Sequence, residues 1–243
     1  MKVVFFNGSP RGRQSNTHRI AEQILAGAEA AGAVTEEVFL VEKNVEHCRG
    51  CFSCWHKTPG QCVIKDDVNE LIDLFLESDF AGMGTPVYGM YMTGLLKNFL
   101  DRFLPMATPH IQKADDGTFY HNGRVAKYPK RFFVANAGFP GERNFDLLKA
   151  VISQQPMALQ VYRNCGEALN NRPDERLSEP IQKFYEALYA AGGEMVRQGQ
   201  VSEATHRRIQ TEIISDEDYM AQANKHWDEA IHEAELAGEK EAD

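Results

Sequence analysis

Two groups of residues in this sequence have the types and spacing to do chemistry. The first is Asn7-Gly8-Ser9-Pro10-Arg11, followed closely by Ser15-Asn16-Thr17. Ser9, Ser15, Asn16 and Thr17 offer hydroxyl and amide donors, Gly8, Pro10 and Gly12 shape a turn, and Arg11 and Arg13 add positive charge. Ser15 or Asn16 here caps a helix whose free N–H groups face back into the loop, so an anion placed there meets backbone dipoles as well as side chains. The stretch lacks the Gly-Lys-Ser/Thr ending of a nucleoside triphosphate loop, and Gly8 and Gly12 do not fit the G-x-G-x-x-G spacing. A terminal monophosphate is the anion that remains. Read as a plain helix cap, the same residues need no ligand, and the segment alone leaves both readings open.

The second group is Cys48, Cys51, Cys54 and Cys62. Clustered cysteines point to metal or redox chemistry rather than a disulfide framework. Three cysteines at x2 spacing can wrap three corners of a cubane and the x7 return supplies a fourth thiolate, whereas a structural zinc more often uses two separated knuckles. Free thiols are the third reading. His47 and His56 are near enough to compete as ligands, and Cys165 reads as a small buried apolar side chain.

Both groups need elements to position them. Val3, Val4, Phe5 and Phe6 form a continuous apolar run, the mark of a central parallel strand covered on both faces. Ile20, Ile24, Leu25 and Ala28 mark a helix ending near Gly32, and residues 35–41 alternate like a strand. Asp67-x-x-Glu70 opens a helix with Val68, Leu71, Ile72, Phe75 and Leu76 on one face. A strand over 79–84 runs into Thr85-Pro86-Val87-Tyr88-Gly89-Met90, Thr93 caps the next helix, and Pro105 stops it. Residues 107–130 read as a hairpin-bearing excursion with Asp115-Asp116-Gly117 and Asn122-Gly123 as turn signals. A strand over 131–136 ends at Ala137-Gly138-Phe139-Pro140-Gly141, and a helix over about 144–154 and a strand over 158–162 complete five strands. Such alternation implies a parallel sheet whose ligands sit outside the carboxyl ends of the strands, where these three loops converge. Beyond Asn171 two helical stripes follow, Ile181-Phe184-Tyr185-Leu188-Tyr189 and the weaker Tyr219-Ala223-Trp227-Ala230-Ile231. Lys97 and Asp101 are an i,i+4 pair, and Arg102 complements the end of their helix.

With these pieces in order, the chain resembles the flavodoxin-like NAD(P)H-dependent FMN reductase family, and its iron-sulfur flavoprotein branch in particular. The resemblance rests on Asn7–Arg11 with Ser15–Thr17, on Cys48-x2-Cys51-x2-Cys54-x7-Cys62 running into Asp66-Asp67, and on Thr85–Gly89 with Leu96–Arg102. It covers roughly the first hundred residues. It implies an α/β fold with a doubly wound five-stranded parallel sheet of order 2-1-3-4-5, an FMN-binding domain over 1–170 and a C-terminal helical extension over 171–243. It implies FMN, its phosphate held by Ser9, Arg11, Ser15, Asn16 and Thr17, with Pro86, Val87, Tyr88, Gly89 and Met90 along ribityl and isoalloxazine, and Gly138 and Phe139 on the other side. A [4Fe-4S] cluster on the four cysteines is the metal expectation, although the insertion Trp55–Gln61 makes the last spacing long for the branch. The implied activity is electron transfer from NAD(P)H or a carrier protein to a quinone, nitro compound, oxygen or protein acceptor, in a homodimer or higher homo-oligomer. No side chain need act as acid or base, because the flavin carries the chemistry. The alternatives are a clusterless NAD(P)H:quinone or FMN reductase and a non-enzymatic flavin electron carrier. A zinc-stabilised module without flavin lies further off.

Composition narrows the partners. The 243 residues carry a formal net charge of -9. Residues 228–243 hold seven acids and one Lys and therefore -6 of it. That balance disfavours nucleic acid and anionic membrane as partners. No long apolar span occurs and the N-terminal apolar run is too short for a signal peptide, so a soluble cytoplasmic protein is expected.

Overall fold

The apolar run at the N-terminus becomes an interior strand of a sheet in the computed structural model, which describes residues 1–170 and 175–241. Strand β1 (Lys2–Asn7) buries Val3 through Asn7 completely and pairs in parallel with β2 (Val34–Phe39) on one side and β3 (Phe80–Pro86) on the other. Strands β6 (Lys130–Asn136) and β7 (Met157–Arg163) extend it, giving the order β2-β1-β3-β6-β7 with every pairing parallel. With the separate β4 (Ala107–Lys113) and β5 (Phe119–Gly123) set aside, this is the expected order 2-1-3-4-5 and the expected flavodoxin-like class. The two set-aside strands form an antiparallel hairpin. Its turn lies at Asp115-Asp116-Gly117, whereas Asn122-Gly123 closes β5 and is no turn.

Helices cover both faces. On one, α1 (Asn16–Ala30) packs against α6 (Glu175–Gln198) over Val3, Phe5, Phe132 and Val161, with Ile20, Ile24, Phe184 and Leu188 as the meeting side chains. The two backbones approach so closely that a Cβ at Gly27 would lie 1.9 Å from the Tyr189 carbonyl oxygen, and one at Gly192 1.9 Å from that of Ile24. On the other face, α3 (Val68–Glu77), α4 (Gly94–Asp101) and α5 (Asp146–Ile152) cover Val4, Phe6 and Phe133 with Leu71, Phe75, Leu96, Phe99 and Leu148. A four-residue helix α2 (Ser53–His56) lies in the cysteine segment.

Near the C-terminus come α7 (Glu203–Ile209) and α8 (Asp216–Glu241). The two stripes foreseen there fare differently. Phe184 and Leu188 of α6 belong to the same core as β1, while on α8 Tyr219 is buried and Trp227 and Ile231 are exposed. The domain boundary expected between 170 and 171 meets residues 171–174, outside the described residues. No helix among the described residues is long and apolar enough to cross a membrane.

Candidate functional site

The carboxyl ends of β1, β3 and β6 lie side by side, so the three loops foreseen as one edge are neighbours. After β1, Asn7 turns its side chain back on the loop: Oδ1 accepts from Ser9 N–H at 2.9 Å and Nδ2 donates to Glu37 at 2.9 Å. Burial pushes the Glu37 carboxyl up, against the pull of Asn7 and of His18, whose Nδ1 is 2.7 Å away. A Cβ at Gly8 would fall 2.6 Å from that of Leu96, which is why the chain passes there as glycine. Ser15 is the cap of α1. Its hydroxyl accepts from His18 N–H at 3.0 Å and donates to the Gly12 carbonyl at 2.6 Å, so the backbone already occupies it. The first N–H groups of α1, at Asn16 and Thr17, have no intrahelical acceptor.

Ser9, Ser15, Asn16 and Thr17 are all buried, and Arg11 is exposed. Arg11 Nη1 is 2.7 Å from Glu167 Oε1, a residue in the turn after β7, and Asn16 Nδ2 donates to the same oxygen at 3.4 Å. Asn16 Oδ1 is buried without a partner. Beside these polar groups the other two loops bring apolar surface. Tyr88 and Tyr91 exchange backbone bonds of 2.9 and 3.1 Å about a turn in which Gly89 and Met90 both have positive φ. That geometry pushes Tyr88 and Met90 outward, and Phe139 from the third loop is 73% exposed; Pro86 and Val87 are half-buried and Gly138 is open.

The three loops are tied together by bonds that the sequence pattern does not reveal. Thr93, foreseen as the cap of α4 and accepting from Leu96 N–H at 3.3 Å, also donates to the Gly8 carbonyl at 2.6 Å. Asn136, the last residue of β6, donates from Nδ2 to Thr17 Oγ1 at 2.7 Å, and its carbonyl accepts from Val87 N–H at 2.7 Å. Its position repeats that of Asn7, a lone amide ending an apolar strand on the same edge, and that repeat was the available signal. The third loop is held from α8, where Tyr219 O–H donates to the Gly138 carbonyl at 2.7 Å and Asp216 accepts from Gly141 N–H at 3.0 Å. Cys165 is buried as foreseen, and burial pushes its thiol up to about 12.

The four-cysteine segment overturns the [4Fe-4S] expectation. Among the described residues no group of three or more His, Cys, Asp or Glu side chains is arranged to hold a metal ion. Cys48 and Cys51 are exposed on irregular chain, Cys54 is buried in α2, and the Cys62 sulfur is engaged by a cation. Burial pushes the Cys54 thiol up, while bonds to Ser53 pull the exposed Cys51 thiol down.

That cation is Arg102, and its expected role at the helix end is also corrected. Its guanidinium is 1% exposed and faces a fully buried Asp66 carboxylate. Nη1 donates to Asp66 Oδ2 at 2.6 Å and to the Glu46 carbonyl, and Nη2 donates to Asp66 Oδ1 at 3.1 Å and to Cys62 Sγ at 3.2 Å. Burial pushes the Asp66 carboxyl up, but the Arg102 bonds and the N–H groups of Glu46 and Val68 outweigh it and hold the group below the ordinary range. Asp67 is the N-cap residue of α3 as foreseen, but its side chain binds Asn44 N–H, and it is Asp66 that accepts from Val68 N–H, at 3.2 Å. Lys97 and Asp101 form their i,i+4 pair.

Residues 1–116 match the family described as NADPH-dependent FMN reductase. An iron-sulfur flavoprotein of Archaeoglobus fulgidus is 38% identical over 105 residues, 43% of this chain and 46% of that protein. One from Methanocaldococcus jannaschii is 38% identical over 106 residues, 44% and 53% of the two chains. The match thus spans about half the length of these relatives. In structure the chain is similar to a FMN-dependent NADH-azoreductase from Bacillus anthracis solved with FMN. The TM-score is 0.58 at 15% identity, covering 81% of this chain and 99% of that one. A NAD(P)H:quinone oxidoreductase from Methanothermobacter marburgensis gives 0.55 at 16%, covering 80% and 96%. At these identities the likeness shows the fold.

Proposed function

We propose that the three-loop edge holds FMN and that the protein, whose residues 1–116 match the NADPH-dependent FMN reductase family, is a clusterless NAD(P)H-dependent oxidoreductase acting on a quinone or flavin-type acceptor. The observation that carries this reading is the tying of three strand ends into one edge by the bonds Thr93 to Gly8, Asn136 to Thr17 and Val87 to Asn136. A flavin mononucleotide needs an anion anchor at a helix N-terminus beside an apolar slot with a few convergent polar groups. The N-terminus of α1 beside the exposed Tyr88, Met90 and Phe139 supports both, and the unpartnered Asn16 oxygen is an acceptor that a ligand hydroxyl could satisfy.

When bound, FMN supplies the redox chemistry, two electrons taken from the nicotinamide and passed to the acceptor. The chain's part is to bind and orient. The N–H groups of Asn16 and Thr17, the guanidinium of Arg11 and the hydroxyl of Ser9 would hold the phosphate, with Ser15 shaping the turn. Pro86, Val87 and the free N–H groups of Gly89 and Met90 would flank ribityl and ring, with Tyr88 on one side and Gly138 and Phe139 on the other.

Steady-state oxidation of NADH and of NADPH with benzoquinone, on protein reconstituted with FMN, tests this. Turnover is the expected result. Flavin binding without turnover leaves the carrier reading, and protein that binds no FMN removes the flavin reading altogether. The exposed hairpin residues Ile111, Phe119 and Tyr120, with Trp227 and Ile231 on α8, suit burial against a second copy. Light scattering in solution tests that homo-oligomer, and a monomer at all concentrations overturns it.

A further inference from the structure

The two faces of the sheet are covered unequally. On the face of α1 and α6 the two long helices meet at glycines, whereas on the other α4 and α5 have only 8 and 7 residues. Two such short helices do not reach the amino-terminal halves of β3 and β6, and a cavity of about 480 Å³ remains between them. Met83, Phe103 and Phe133 are among its apolar walls, and the base of the hairpin closes one end at Ala107 and Gly123. Its volume lies within the range of small-molecule pockets, roughly 300–1,000 Å³. The cavity belongs to the opposite end of the strands from the three loops: Arg131, which lines it, is the second residue of β6, and Asn136 at the loop edge is the last, about 16 Å further along at ~3.3 Å per residue.

The polar groups of the wall are few and largely satisfied. Tyr128 O–H donates to the Met106 carbonyl at 2.7 Å, and the His121 ring leans on Trp55 with centroids 5.0 Å apart. Arg131 differs. Its guanidinium donates from Nη2 to the neutral amide oxygen of Gln155 at 2.6 Å, and among the described residues no carboxylate stands within ion-pairing distance of it. Burial draws its pKa below the ordinary value, and no neighbouring charge opposes that. Arg131 is part-buried and its bond to Gln155 is exposed to solvent, so its guanidinium stands at the rim of the apolar walls without a counter-ion, placed to pair with an incoming anion.

We propose that this cavity is a second small-molecule site, separate from the flavin edge, and that it takes an amphipathic monoanion, a medium-chain or aromatic carboxylate whose apolar body fills the walls while its carboxylate pairs with Arg131. The bidentate fork of Arg131 fits a carboxylate, and the apolar lining selects against small hydrophilic anions. Nothing in this proposal depends on flavin being bound.

Isothermal titration calorimetry of the full chain with octanoate and with 1-octanol, two probes that share the tail and differ in the head, tests it. The expected result is saturable octanoate binding at one site per chain, with 1-octanol at least tenfold weaker. Arg131→Gln lowers octanoate affinity about tenfold or more and leaves 1-octanol unchanged. Val151→Trp, which fills the cavity from α5, abolishes binding of both, and a cooperative thermal melt in each variant excludes misfolding. No saturable octanoate binding to the wild type overturns the proposal. Equal affinity for the two probes, or octanoate binding that survives both substitutions, overturns it as well.

Discussion

The anion loop after β1 and the cysteine segment after β2 are both short, both rich in reactive residue types and both in an order that resembles one family, yet the structure treats them oppositely. In the loop, the groups offered to a ligand are set by backbone: Gly8 must pass Leu96, Ser15 must cap α1, and the N–H groups of Asn16 and Thr17 then point the same way. In the cysteine segment the backbone is irregular, and the positions of four sulfurs depend on what each side chain packs against. All four line one small hollow, yet Cys54 is buried, Cys62 is engaged by Arg102, and Cys48 and Cys51 are exposed. Spacing places backbone donors well where secondary structure fixes them, and side-chain ligands poorly where burial decides their surroundings.

The largest effect that would sharpen this contrast is at Arg102. Arg102→Ala leaves the Asp66 carboxylate buried and unpaired, a change that costs about 3–5 kcal/mol when one partner of a buried pair is removed. Urea melts should show that loss. Arg102→Met combined with Asp66→Leu should recover most of it, because the charge to be buried is gone from both sides. The folded-state pKa of Asp66 is depressed, so the stability it contributes is complete above the unfolded carboxylate value of about 3.9 and is lost as pH falls through the lower folded value. An acid melt of wild type in which stability does not fall in that window would show that the pair is not what holds the segment.

Arg102 also marks where the sequence was misleading. At the last turn of an amphipathic helix a guanidinium is ordinarily a solvated complement to the dipole, and nothing in the local pattern signals that residues 44–67 fold over it. The sheet was legible because each strand-helix alternation carries its own period, down to Thr93 as a cap. The placement of α6 on α1 was not, since it requires knowing that Gly27 faces Tyr189 and Gly192 faces Ile24. The three loops were read as neighbours, but not the side chains that join them. Asn136→Leu tests that join directly. It leaves the Thr17 hydroxyl without its buried donor, about 1–3 kcal/mol of stability, and should weaken FMN and riboflavin binding together, since it disturbs the edge and not the anion anchor. Unchanged flavin affinity in a folded variant would mean that the loops hold their positions independently.

Ser15→Ala comes next in size and separates a cap from a ligand. Its hydroxyl is committed to His18 N–H and the Gly12 carbonyl, so the expected loss is that of a helix cap, about 1 kcal/mol by thermal melt. FMN and riboflavin should lose affinity in the same proportion. A loss specific to FMN would put the hydroxyl on the phosphate and make the backbone description of the loop incomplete.

The smallest effect is expected at Glu167, a side chain from outside the loop that enters it. Glu167 Oε1 accepts from Arg11 at 2.7 Å and from Asn16 at 3.4 Å, so a carboxylate stands where a phosphate would be received. Both partners are about two-fifths exposed, 45% and 39%, so the pair itself contributes little, roughly 0.2–1 kcal/mol. Glu167→Gln keeps an oxygen for Arg11 and Asn16 and removes only the charge. A dianion entering at the N-terminus of α1 then meets less repulsion, and FMN should bind about two- to fivefold more tightly, while riboflavin, which has no phosphate, should not respond. Raising the salt concentration should erase the difference, because screening acts on exposed charges. If FMN instead binds more weakly to Glu167→Gln, the carboxylate serves to hold Arg11 ready for the phosphate, and the loop, like the cysteine segment, depends on a side chain that its own spacing does not reveal.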